Sequence, residues 1–187
     1  MNLKKAISYA AFGFFFILVN INLTLSGGTI NITPNFVGWI LMFLAFVPFG
    51  TYMEGKAYMH WLPLVMAVFT GALWLLSIAE PGMENPLLSV LQAVLNIVEL
   101  VYMFTLFGIL EKVADDCGSS KSSSLRMIKI LMLVLYLVVT VFALLTRYTE
   151  STALAAVVLV CGLALLVLMI IALFVLFGLR KEIRSQE

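Results

Sequence analysis

Charge is scarce in this sequence, at 11% of 187 residues, against roughly 25% in an ordinary soluble domain. Histidine occurs once, at His60, and cysteine twice, at Cys117 and Cys161. There is no second histidine, no HExxH, no GxSxG, no GxxxxGK[ST] and no pair of acids on one helical face. An intramembrane hydrolase needs a nucleophile with a base, or two carboxylates. Without either, the chain reads as a non-enzyme with no cofactor and no metal. Two thiols without CxxC spacing form neither a metal framework nor a disulfide scaffold, so both read as free thiols. A net charge of +1 sets up no field that would recruit nucleic acid.

Apolar residues are plentiful instead: 63% of the chain is hydrophobic and the mean hydropathy is +1.12. An α-helix rises about 1.5 Å per residue, so a bilayer core of about 30 Å takes roughly 20 apolar residues to cross. The chain divides into runs of about that length, at 6–25, 36–53, 62–79, 87–110, 127–146 and 153–179. Between them lie polar breaks such as Ser26-Gly27-Gly28, Pro34-Asn35, Glu80-Pro81-Gly82 and Asn85-Pro86. The runs are continuously apolar and not alternating, which excludes a β-barrel. The expectation is one all-α membrane domain over 1–187, a polytopic bundle of about six transmembrane helices. Pro63 falls in the first turn of the third run, where its missing N–H costs little.

Direction follows from lysine and arginine near the span ends. With the N-terminus inside, the inner segments hold Lys4, Lys5, Lys56, Lys112, Lys121, Arg126, Lys129, Arg180, Lys181 and Arg184. Only Arg147 falls outside, and Glu80 and Glu84 lean outward. Both termini are therefore expected in the cytoplasm of a cell-membrane protein. The first run is longer than the usual 7–15-residue signal-peptide core, which favours a retained span over a cleaved leader. Two sequons, at Asn22 and Asn31, lie near the outer face and matter only in a secretory host.

Each even-numbered run ends on a related phrase: Val47-Pro48-Phe49-Gly50, Leu106-Phe107-Gly108 and Leu176-Phe177-Gly178-Leu179. A charge follows each, at Glu54, Glu111 and Arg180. Three duplicated helical hairpins would produce this pattern, as would chance in Phe- and Gly-rich membrane helices.

Glu99 is the one ionisable residue deep in any run. A charged carboxylate there costs about 2.5–3.5 kcal/mol on insertion scales, so it should be paired, line a wet cavity or carry a proton. No lysine or arginine lies at its depth. Gln92, Asn96 and Glu99 follow i, i+4, i+7 spacing and share one helical face, with Tyr102 and Met103 extending it inward. Asn20, Asn22 and Thr24 fall in the outer third of the first run. Thr70, Trp74 and Ser77 lie on the third, and Tyr136 and Thr140 on the fifth. Turned toward one another, these groups would form a polar pocket open outward, with Glu99 at its floor and Asn96, Gln92, Asn20 and Asn22 as further ligand-binding candidates. The plainer reading is interhelical hydrogen bonding, at about 0.6 kcal/mol a bond on average.

Small residues mark close-packing faces: Ala6, Ala10 and Gly13 on the first helix, Gly71-Ala72 on the third, and Ala153, Ala156 and Gly162 on the sixth. Packing within the bundle is the default, and a membrane-protein partner or a second copy of the chain the alternative. His60, Trp39, Tyr52 and Tyr58 read as interfacial residues, and the Ser-rich stretch 118–124 as a flexible connector.

The phrase Ile32-Thr33-Pro34-Asn35-Phe36-Val37-Gly38-Trp39-Ile40 resembles one in uncharacterised small bacterial membrane proteins. There a Pro-Asp-Phe-Ile-Gly-Tyr-like phrase opens the second helix. Here Asn35 stands for the usual acid and Trp39 for the usual Tyr. The architecture as a whole resembles the substrate-binding subunits of energy-coupling-factor vitamin transporters. Those have six spans, both termini inside, a solute pocket opening outward, and small residues spaced by four on the first helix that contact a coupling subunit. The resemblance implies that part for Ala6 and Ala10; no vitamin-specific motif accompanies it. The expected function is a multi-pass small-solute binding or transport subunit with an outward-facing polar pocket. The alternative is a non-transporting accessory or structural membrane protein assembling with a partner.

Overall fold

The computed structural model describes residues 3–18, 22–25, 28–31, 34–52, 55, 58–79, 86–146, 149 and 152–184. Six α-helices form a bundle: α1 (Leu3–Leu18), α2 (Asn35–Ala45), α3 (Tyr58–Ala79), α4 (Pro86–Asp116), α5 (Ser122–Thr146) and α6 (Thr152–Arg184). Between α1 and α2 lies a hairpin of two four-residue antiparallel strands, β1 (Asn22–Leu25) and β2 (Gly28–Asn31), in the register Asn22 to Asn31. Helices α3, α4, α5 and α6 are long and apolar enough to cross a membrane. At 16 and 11 residues, α1 and α2 are shorter.

This corrects the first span, expected as helix through residue 25. Asn22-Leu23-Thr24-Leu25 and Gly28-Thr29-Ile30-Asn31 alternate polar and apolar residues, the period-2 pattern of a strand. Around them, Asn and Gly oppose helix continuation. The expected end of the second span is met by two elements. Pro48 has no N–H to donate, so α2 stops at Ala45 and residues Val47–Tyr52 continue as a 3-10 helix. In contrast, α3 begins at Tyr58, a turn earlier than expected, which places Pro63 beyond its first turn.

Around the bundle the helices run α3, α2, α1, α6, α5, α4, and α3 scarcely touches α4. Side-chain pairs show neighbours running antiparallel: Phe43 with His60 across α2–α3, Phe12 with Phe177 across α1–α6, and Glu111 with Lys129 across α4–α5. The described cations outside the membrane core therefore gather at one end, with the termini; the hairpin lies at the other.

Packing is densest toward the termini end. There Phe14 meets Phe107 edge to face, and Phe46 meets Phe49 edge to face and Tyr102 at a tilt, all fully buried. Ala6 and Ala10 are wholly covered within this core, so they serve intramolecular packing and present no surface to a coupling subunit. Gly13 and Gly38 let α1 and α2 cross backbone to backbone: a Cβ on either would lie 2.8 Å or less from the other's carbonyl oxygen. Ala153 and Ala156 differ. They are exposed, and a Cβ on Gly162, on another side of α6 at about 100° per residue, would meet nothing within 4 Å.

The stretch expected as a flexible connector is a fastened turn. Gly118, at φ 59°, closes α4, its N–H donating to Asp115 O at 2.9 Å while the Ser119 N–H reaches Ala114 O at 2.8 Å. That pair of bonds is a Schellman cap, and its left-handed residue favours glycine. From α6, the Glu182 carboxylate accepts the hydroxyls of Ser119 and Ser120 and lies 3.9 Å from Lys121 Nζ. The Ser119 hydroxyl, with help from Ser120 and Lys121, holds the Glu182 carboxyl below its ordinary value of 4.5. A depressed folded-state value stabilises the clamp above 4.5 and releases it as pH falls below. Protection factors for the amides of residues 117–121 should therefore fall on acidification below pH 4.5, and Glu182→Gln should lower them already at neutral pH. Unchanged protection in both cases would remove Glu182 as the fastening.

Candidate functional site

Helix α4 has two faces. Leu87, Val90, Val94, Ile97, Val101 and Phe104, spaced by three and four, are all exposed and form its lipid-facing stripe. On the opposite side Leu95, Tyr102, Met103, Leu106 and Leu110 are buried. At about 100° per residue, Gln92, Asn96 and Glu99 project with that buried group, toward the bundle interior. Yet Gln92 and Asn96 are exposed and Glu99 is only half-buried. Their exposure comes from the bundle opening toward the hairpin end, where α3 and α4 part, α1 has finished at Leu18 and α2 has only begun at Asn35.

Two other helices make the same change along their length. On α3, Met59, Pro63, Met66 and Ala67 are buried, and Thr70, Trp74 and Ser77 continue that face half-buried. On α5, buried Leu125, Ile128 and Met132 give way to half-buried Tyr136 and Thr140. The inward faces of three helices thus turn from apolar at the termini end to polar at the hairpin end.

Several of these groups bond within their own helix. Thr70 donates to Met66 O at 2.6 Å and Ser77 to Trp74 O at 2.7 Å, both within α3. Gln92 Nε2 donates to Asn96 Oδ1 at 2.9 Å, within α4. Between helices, Tyr136 Oη donates to the Asn96 carbonyl at 3.0 Å. Tyr136 also comes within electrostatic range of Glu99. Glu99 itself makes no hydrogen bond or ion pair among the described residues, and the cations of the described structure lie at the far end.

Across the centre from Glu99, α2 contributes groups that the sequence reading missed. Trp39 is not an interfacial residue. It is fully buried, its ring edge-on to Tyr102 of α4 at 5.1 Å between centroids and 68° between planes. Asn35 lies one turn before it on the same face. Asn35 Oδ1, Trp39 Nε1 and Tyr102 Oη are buried polar atoms with no hydrogen-bond partner among the described residues. Natural proteins rarely leave such atoms unmet, since each costs about 1–3 kcal/mol. The i, i+4 spacing of Asn35 and Trp39 is in the sequence. Tryptophan near a span end, however, reads first as an interfacial anchor.

The structure therefore brings together Glu99, Asn96 and Gln92, and adds Tyr136, Tyr102, Trp39 and Asn35. Asn20 lies outside the described residues. Asn22 is described only in its backbone, in strand β1 and not on helix α1, which removes the helical placement expected for it. Chemically the site offers a carboxyl that can accept bonds or carry a proton, an indole that only donates, a phenol that does either, and an amide oxygen that accepts.

No family model matches the chain, and no curated protein or solved structure matches it.

Proposed function

We propose that this chain is a non-enzymatic, multi-pass cell-membrane protein that binds a small polar solute, as a binding or transport subunit, in a vestibule with Glu99 at its floor. The observation that carries the reading is the Glu99 carboxyl on an interior helix face, with no hydrogen bond or ion pair among the described residues, together with three buried polar atoms that also lack partners there: Tyr102 Oη one turn along α4, and Asn35 Oδ1 and Trp39 Nε1 on α2. A solute with donors for Glu99 and Asn35 and acceptors for Trp39 and Tyr102 would complete all of them. The cations gathered at the termini end support a cytoplasmic placement of that end, which would open the vestibule outward.

Glu99→Gln keeps the shape and removes the charge. Hydrogen bonds to a charged group contribute about 1.5–3 kcal/mol, so affinity should fall by roughly tenfold or more. The measurement is a thermal-shift screen of the purified chain against amines, amino acids and sugars, repeated on the variant. A solute that stabilises both proteins equally would sink the reading.

One observation favours the alternative, an accessory protein that assembles with a partner. In the first half of α6, Ala153 and Ala156 are exposed, and small residues permit close helix approach. A stoichiometric partner after gentle detergent extraction, with no stabilising solute, would favour it.

A further inference from the structure

At the termini end, a cavity of about 260 Å³ opens between α1 and α6, lined by Lys4, Phe177, Arg180 and Lys181. We propose that it holds the phosphate of an anionic phospholipid, whose acyl chains lie along the aromatic furrow below. The inference is independent of the solute vestibule, which sits at the opposite end of the bundle.

Three cationic side chains line this cavity and no carboxylate does. The nearest acid in sequence, Glu182, is turned to the other side of α6 and engaged with Ser119, Ser120 and Lys121. Arg180 and Lys181 make no ion pair among the described residues. A second cavity at this end, about 450 Å³ between α4 and α5, differs in this respect. It sets Glu111 and Asp115 against Lys112 and Lys129, so its charge is balanced internally. Of these two, the α1–α6 cavity is the one built for an anion.

A lipid is favoured over a soluble phosphate by what forms the rest of the wall. Phe177 lines the cavity and meets Phe12 of α1 edge to face at 5.7 Å. Both rings are partly exposed, at 37% and 47%, and Phe174, one turn deeper on α6, is 72% exposed. The cations sit at the membrane border and the phenylalanines below it, in the order in which a phospholipid presents its phosphate and its chains. Basic pockets between membrane helices recognise anionic headgroups in this way.

The test is native mass spectrometry of the purified 187-residue chain titrated with phosphatidylglycerol or phosphatidylcholine. The wild type should retain one phosphatidylglycerol in preference to phosphatidylcholine, and excess inorganic phosphate should not displace it. Arg180→Gln and Lys181→Gln should each weaken binding about fivefold, from a contribution of about 1 kcal/mol per basic residue. Lys112→Gln, in the balanced cavity, should leave it unchanged. Equal retention of the two lipids by the wild type would overturn the proposal without recourse to any variant. Displacement by inorganic phosphate would overturn the lipid assignment, and undiminished binding by folded Gln variants would overturn the location.

Discussion

Gly38→Ala should separate α1 from α2 and destabilise the bundle by about 3 kcal/mol, the upper end of overpacking costs. The new Cβ would lie 2.6 Å from the Gly13 carbonyl oxygen, 2.7 Å from Ile17 Cγ1 and 2.9 Å from the Ile17 nitrogen. Two of these three are backbone atoms of a helix, which cannot swing aside as a side chain does. The helices must move apart, and in doing so loosen Ala10, Phe14 and Ile17 against Trp39 and Met42, all buried at this crossing. Gly13→Ala should act in the same direction, its Cβ 2.8 Å from the Gly38 carbonyl and 3.2 Å from the Met42 nitrogen. Gly71→Ala is the internal control, since its Cβ would meet the Phe36 ring at an ordinary 3.5 Å. Thermal unfolding in detergent, followed by circular dichroism, compares the three. Equal transition temperatures for Gly38→Ala and Gly71→Ala would show that the crossing is not built on glycine. Because Trp39 belongs to the candidate site, the same substitution should also lower solute binding.

Much of this architecture was legible in the sequence because lipid imposes a simple rule. A buried backbone must satisfy itself, so long apolar runs become helices. That is why α3 through α6 lie near their expected bounds. The rule loses force where a run is diluted by polar residues. The stretch from Asn20 to Asn31 carries enough leucine and isoleucine to extend an apolar window, yet its alternation favours a hairpin. The site was half legible for a related reason. Spacing along one helix places Gln92, Asn96 and Glu99 on a common face, and the structure keeps them there, facing inward. Spacing says nothing of which helix stands opposite. Trp39 and Tyr102 meet only because α2 and α4, separated by a whole helix in sequence, both turn toward the bundle centre.

The repeated Phe-Gly phrase gains a physical meaning that its sequence alone does not carry. At Gly108 the space beside the missing side chain is occupied by Lys129 of α5, and at Gly178 by Lys121 of the α4–α5 turn. Each lysine then meets a glutamate about one turn further along the helix, Glu111 or Glu182. Glycine, lysine and glutamate thus form one device, used twice, that fastens a neighbouring segment to the helix end. At Gly50 a Cβ would meet nothing within 4 Å, so the third phrase lacks this partner. The device explains the recurrence of two of the phrases by local packing, with no need of a duplicated hairpin.

The sharper of the two fastenings is at Glu111, where Glu111→Gln should destabilise the protein by about 3 kcal/mol. Glu111 is bonded to Lys129 Nζ and lies 3.9 Å from Arg126 Nε, with the Glu111 and Lys129 side chains only 18% and 19% exposed. Breaking a largely buried pair from one side leaves a charge without its counterion, at about 3–5 kcal/mol. Lysine can extend partly toward water, which sets the lower figure. The Phe104 ring, 5.6 Å from Lys129 Nζ, offers a cation–π contact of about 0.5–1 kcal/mol at a partly exposed site, too weak to stand in for a carboxylate. Asp115 lines the same cavity but is exposed and makes no ion pair with Lys129 in the described structure. Adding Lys129→Met should restore most of the loss, because the orphaned ammonium is then gone and a flexible apolar chain fills the space over Gly108. Chemical unfolding of the single and double variants separates the explanations. If the double variant is as unstable as Glu111→Gln alone, the cost lies in the missing carboxylate's other contacts and not in a stranded lysine.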